Sequence, residues 1–198
     1  MDKFIDPGKC RSLCGGTCML GCPHGAKWTA REYIRDMVES GGEIVTRADV
    51  QAVTVEDRTA VGLRAKVPGG VLEVEAGVVV VAAGGLGTPV ILKRSGIEEA
   101  GRGMFLDPLV FVTGVSRGPG TCLGPPMSVA TYEFMDEGFL LSDLMDPWGL
   151  WIVMTLRKNP SKILDFFRYR RQLGLMVKIG DEQRGEIRMD GGISKPLT

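Results

Sequence analysis

The stretch "GVVVVAAGGLGTPVILKRSGI", residues 77–97, decides how the chain is read. Its first seven residues form a continuous apolar run rich in β-branched side chains, the pattern of a strand covered on both faces in a parallel sheet. The run passes directly into Gly84, Gly85 and Gly87, which permit a sharp strand-to-helix turn. Thr88 is placed to cap a helix with Pro89 at its first position, and the spacing predicts a helix over 89–95 that stops at Gly96. A buried strand ending in small residues leaves the amides at its carboxyl end bare, so that a nucleotide cofactor can rest against them. A strand, turn and helix that merely pack well would show the same pattern, and the glycines alone do not separate the two.

Upstream the chain reads as an antiparallel meander over 50–76. "AVGLRAKV" (60–67) alternates, with Val61, Leu63, Ala65 and Val67 on one face and Gly62, Arg64 and Lys66 on the other. "VQAVTVED" (50–57) precedes it, and after the Pro68-Gly69-Gly70 turn "VLEVEA" (71–76) alternates again. "EIVT" (43–46) reads as a further short strand. Before it, "TAREYIRDMVESGG" (29–42) predicts a helix over 29–40, with Thr29 as N-cap and Glu32 three positions on. Ala30, Tyr33, Ile34, Met37 and Val38 fall on one stripe, expected to be buried, and Gly41 or Gly42 ends the helix.

Beyond about residue 105 the character changes, which predicts a second domain over 105–198. "LVFVTGVSR", "MSVATYEF", "GFLLSDLM" and "LGLMVKIGDE" read as strands. Between them "WGLWIVMTLRKNPSKILDFFRYRR" (148–171) is aromatic and basic, and Pro160 breaks it. Such residues more often line a pocket or a core, with Lys and Arg reaching outward, so membrane contact is not expected. "GEIRMDGGISKPLT" (185–198) reads as a strand or hairpin.

Composition sets bounds on function. The 198 residues are 44% hydrophobic and 24% charged, as in ordinary globular proteins. Basic and acidic residues balance at 24 each, which gives no footprint for a nucleic-acid partner. "MDKFIDPGK" lacks a basic start followed by an apolar run, so a cytoplasmic location is the expectation. No run reaches the ~20 apolar residues of a membrane-spanning helix.

Four of the five cysteines, Cys10, Cys14, Cys18 and Cys22, fall every fourth residue. In a reducing compartment such a cluster points to a metal or redox site before a disulfide framework. Four converging thiolates suit an iron–sulfur cluster, and "CMLGCP" (18–23) echoes the end of the bacterial ferredoxin pattern, although the earlier spacings are three rather than two. Zinc is the weaker option, because tetrathiolate sites usually come as two separated Cys-x2-Cys pairs. Free thiols in a loop made by Gly15, Gly16 and Gly21 are the other reading. His24 reads as a loop residue and Lys27 as a solvated one.

The residues also carry a resemblance. "VVVVAAGGLGTPVILKRSGI" resembles the second signature of the glucose–methanol–choline oxidoreductases, flavoproteins that bind FAD. Thr88-Pro89, Ile91-Leu92 and Ser95-Gly96-Ile97 match it, while Gly85 and Glu98 depart. "GCPHGAKWTAREYI" is similar to the segment before the family's FAD-domain helix, and "GGEIVTRADVQAV" to the strand whose backbone meets the adenine end of FAD at Val50. "GRGMFLDPLVFVTG" resembles the crossing into the substrate domain, with Asp107 in place of a histidine.

The resemblance implies an α/β fold: a partial FAD/NAD(P)-binding, Rossmann-like domain with its antiparallel meander over 1–104, and part of an α+β substrate-binding domain over 105–198. It implies FAD resting on Ala83, Gly84, Gly85 and Thr88, and oxidation of the CH–OH group of an alcohol. Electrons would pass to an acceptor protein or quinone, through an iron–sulfur cluster at the four cysteines if one is held there. The family's G-x-G-x-x-G and its C-terminal catalytic histidine pair are not in this sequence. The expectation is an internal piece of a longer flavoprotein, or one part of a split enzyme whose N- and C-terminal parts are separate chains. Two other readings stay open: an electron-transfer protein that uses its cysteines, and an inactive gene fragment. Alone, such a piece is expected to expose sheet edges, dissolve poorly and turn over negligibly.

Overall fold

Alternation, turn residues and helix stops along the sequence translate into the following order of elements: α1 (Arg31–Glu39), β1 (Asp49–Glu56), β2 (Thr59–Val67), β3 (Gly70–Glu75), α2 (Gly84–Arg94), β4 (Arg102–Met104), β5 (Leu109–Val115), β6 (Ala130–Thr131), β7 (Phe139–Asp143), α3 (Trp148–Lys158), β8 (Gln172–Ile179), β9 (Gly185–Ile187) and β10 (Ile193–Ser194). The structure is a computed structural model that describes residues 5–11, 18, 20–120, 126–144 and 146–196. It is a mixed α/β chain, and every strand ladder among the described residues is antiparallel. None of the described helices is long and apolar enough to cross a membrane.

The chain forms two compact units, one of residues 38–106 with 181–198, the other of 1–37 with 107–180. In the first, β1-β2-β3 is the meander read from the sequence. The β1–β2 turn puts Asp57 and Arg58 both at positive φ, as the tightest hairpin turns require, and Pro68-Gly69 makes the next turn. Ala65 is fully buried on the apolar face, and Arg64 and Lys66 are exposed on the other, as the alternation predicts.

Helix α2 is bonded to the meander by its C-terminal end. Ser95 Oγ accepts from Val53 N–H at 2.8 Å and donates to the Ile91 carbonyl at 2.7 Å. The helix stops at Gly96 in the left-handed conformation: Ile97 N–H reaches back to Leu92 O and Gly96 N–H to Lys93 O, the paired closure of a Schellman end. A second sheet, β10-β9-β4, brings β9 beside β4. Its Ile187, only 2% exposed, packs close to Gly101. The two compact units are therefore not two contiguous halves of the sequence.

In the other unit the sheet runs β5-β8-β7-β6. In the same unit α3 is followed, after the break at Pro160, by a 3₁₀ segment over Pro160–Arg171. Asn159 starts that segment, its Oδ1 accepting from Ser161 N–H and Oγ–H. Trp151, 4% exposed, holds the two together, with its ring 5.6 Å from Tyr169 and Ile152 alongside.

Several expected elements differ. Residues 43–46 and 77–83 form no strand, and Val78 and Val80 stand 81% and 83% exposed. An apolar run becomes a strand only by bonding to a neighbour, and among the described residues none lies beside either run. A parallel sheet is correspondingly not seen among them. Helix α1 starts at Arg31, two residues after Thr29, and its stripe of Tyr33, Ile34, Met37 and Val38 is exposed rather than buried. Helix α2 starts at Gly84, with Pro89 inside it, so Thr88 is a helical residue and not the cap. Three glycines let the turn close early, and Pro89 forgoes the bond to the carbonyl four residues back.

Candidate functional site

The backbone past Ala83 is open. Gly84 lies at φ +75°, a conformation side chains avoid, and it turns the extended run 78–82 into α2. A Cβ placed on Gly84 or on Gly85 would meet no other atom within 4 Å. Ala83, at the N-cap position, contributes no side-chain hydrogen bond, and no acidic residue stands in the first turn. The first amides of a helix have no partner inside it. Here no side chain caps them, and the positive end of the helix dipole suits an anionic or carbonyl-bearing ligand. Thr88 is four residues on from Gly84, on the same side of α2, and half-buried.

Val50 lies in β1 opposite Ala65, beside an irregularity in the ladder. It is close to the other end of α2: its neighbour Gln51 receives a bond from Arg94, and Val53 is held by Ser95. The two groups of expected residues thus stand at opposite ends of one helix of eleven residues, about 16 Å long.

Two concavities in this unit involve residues the sequence reading did not single out. One of about 350 Å³ lies on the polar face of the meander, lined by Gln51, Arg64, Lys66 and Glu73 among others. Its basic members were visible as the outer half of the β2 alternation. The other, of about 410 Å³, is lined by Lys93, Glu98, Arg102, Glu186 and Arg188. Buried Lys93 donates there to the Glu98 carbonyl at 2.8 Å and to Glu186 Oε1 at 3.0 Å. Residues 93 positions apart leave no local signal of such a pair.

The cysteine segment is a turn pinned by an Ile5–Lys27 bridge and by Asp6 N–H to Ala26 O. Cys10, Cys18 and Cys22 form no disulfide among the described residues, while Cys14 lies outside them. The N–H groups of His24, Ala26, Lys27 and Gly25 point at Cys22 Sγ and hold its thiol below the ordinary range, against the opposing effect of burial; Ala26 N is 3.3 Å away. Lys27 is not simply solvated, since its ammonium donates to the Cys18 carbonyl at 3.1 Å. Among the described residues no three Cys, His, Asp or Glu side chains gather as metal ligands.

Comparison with known proteins gives a consistent picture. The family sequence model described as GMC oxidoreductase matches residues 6–110. An uncharacterized protein of Methanocaldococcus jannaschii is 25% identical over 199 residues, covering all of this chain and 48% of that protein. An uncharacterized GMC-type oxidoreductase of Mycobacterium tuberculosis is 32% identical over 151 residues, 73% of this chain and 24% of the relative. A long-chain-alcohol oxidase of Arabidopsis thaliana is 35% identical over 109 residues, 50% of this chain and 15% of the relative. The chain thus spans about half of one of these relatives and a quarter or less of the others.

Proposed function

The chain belongs to the GMC oxidoreductase family, and from that premise we propose that it supplies part of a flavin-dependent enzyme that oxidises the CH–OH group of an alcohol. Residues 1–104 serve as part of a Rossmann-like FAD-binding domain, and 105–198 as part of the wall around the substrate. The observation that carries this reading is the unobstructed backbone at Gly84 and Gly85, where α2 begins without a cap. The Arabidopsis relative, named as an oxidase of long-chain alcohols, supports the substrate class.

FAD, when bound, supplies the acceptor for the hydride removed from the alcohol carbon. The amides of Ala83, Gly84 and Gly85 hold the cofactor, and the Thr88 hydroxyl steadies it from the next turn. The backbone at Val50 would receive the adenine end. The chain's sole histidine, His24, sits in the Cys22 turn and takes no part in moving the substrate's proton. An acceptor protein or quinone takes the electrons onward.

Titration of FAD into the purified chain, followed by quenching of flavin fluorescence, tests the reading. The Gly85→Leu variant fills the open space and is expected to weaken binding by about tenfold or more, about 1.4 kcal/mol, while far-UV circular dichroism stays unchanged. Equal affinity of the two proteins sinks the proposal.

A further inference from the structure

The helical hairpin over 148–171 presents an apolar surface to solvent. Along α3, Leu150, Val153 and Met154 stand outward at helical spacing, with Val153 61% exposed, while Trp151 faces inward. No charged residue occurs in α3 before Arg157 and Lys158 in its last turn. A helix apolar on both sides is normally enclosed by protein or lipid. The 3₁₀ segment after it adds Ile163 and Leu164, 58% and 68% exposed.

Charge identifies what covers this surface. Residues 148–171 hold six basic side chains and one acidic, Asp165, in a chain whose overall charge is zero. Basic residues beside exposed aliphatic and Trp side chains make up the pattern of an element lying in the interface of an anionic membrane. The sequence pattern alone suggests a pocket or core lining, but Leu150, Val153 and Met154 stand at the surface.

We propose that the hairpin Trp148–Arg171 docks on an anionic lipid surface. Leu150, Val153, Met154 and Leu164 enter the headgroup boundary, and Arg157 and Lys158 meet the lipid phosphates. Trp151 and Tyr169 keep the hairpin rigid beneath. This proposal does not rest on the flavin reading.

Sedimentation of the full chain with vesicles tests it. The chain is expected to bind vesicles in which about a third of the lipid is phosphatidylglycerol at least tenfold more tightly than pure phosphatidylcholine, and to be released by salt as surface charge is screened. Tryptophan emission shifts to the blue on binding. Val153→Asp, and separately Arg157→Gln with Lys158→Gln, weaken vesicle binding at least tenfold with unchanged circular dichroism. Indifference to lipid charge, or variants that bind like the parent, overturns the proposal. So does a dimer in light scattering that Val153→Asp dissociates, which makes the face a contact between copies, or binding to soluble polyglutamate as tight as to vesicles.

Discussion

Asp181 accepts a hydrogen bond from Leu106 N–H at 2.6 Å and an ion pair from Lys195 at 2.9 Å, in a site where both side chains are nearly buried. The Leu106 amide first, and then the Lys195 ammonium, hold its carboxyl below the usual range. A carboxylate whose value is lowered by folding contributes stability above the unfolded value, about 3.9, and loses it as pH falls through the folded one. Asp181→Asn is therefore expected to lower Tm at pH 7, and the gap from the parent to narrow as the pH is brought below about 4. A gap of the same size at pH 7 and pH 3 contradicts this. None of it was legible in the sequence, because 75 positions separate Asp181 from Leu106. The openness at Gly84 and Gly85 was legible, because small side chains are local and sufficient causes of a bare backbone. The turn that stabilises the Cys22 thiolate was not, because the amides that surround its sulfur carry no side-chain signal.

Elements differ in how much of their stability depends on close approach. In β8, a Cβ added at Gly174 would lie 1.5 Å from the Leu144 carbonyl oxygen, while Leu144 N–H bonds back to Gly174 O. Backbone on both sides cannot yield cheaply, so Gly174→Ala is expected to cost about 3 kcal/mol, read from the urea midpoint. Gly85→Ala, in open space and without positive φ, is expected to change stability by less than about 1 kcal/mol. Similar losses for both contradict the geometry. The meander and the Gly96 stop were readable, because period-two alternation and a left-handed glycine act within a few residues. The runs 43–46 and 77–83 were not, because a strand is a property of two segments and the text of one shows only that it is willing. Helix α1 makes the same point, since its stripe exists but stands exposed, with the Trp28 ring edge-on against Tyr33.

At the scale of the whole molecule, the "VVVV" run with its exposed Val78 and Val80 is a segment of high β propensity without charge, the kind that pairs with a copy of itself. Val80→Lys is expected to raise the monomer fraction in size-exclusion chromatography severalfold over the parent chain. An unchanged profile removes the run as the cause of association. The balanced composition gave no warning of this, nor of the return of residues 181–198 to the sheet that starts at β4. That return has a further consequence. Leu106 and Asp181 are hydrogen-bonded, so residues 107–180 leave and re-enter one framework through a closed neck. Such a segment can be exchanged, lengthened or trimmed at its two joined ends while the framework around α2 keeps its continuity.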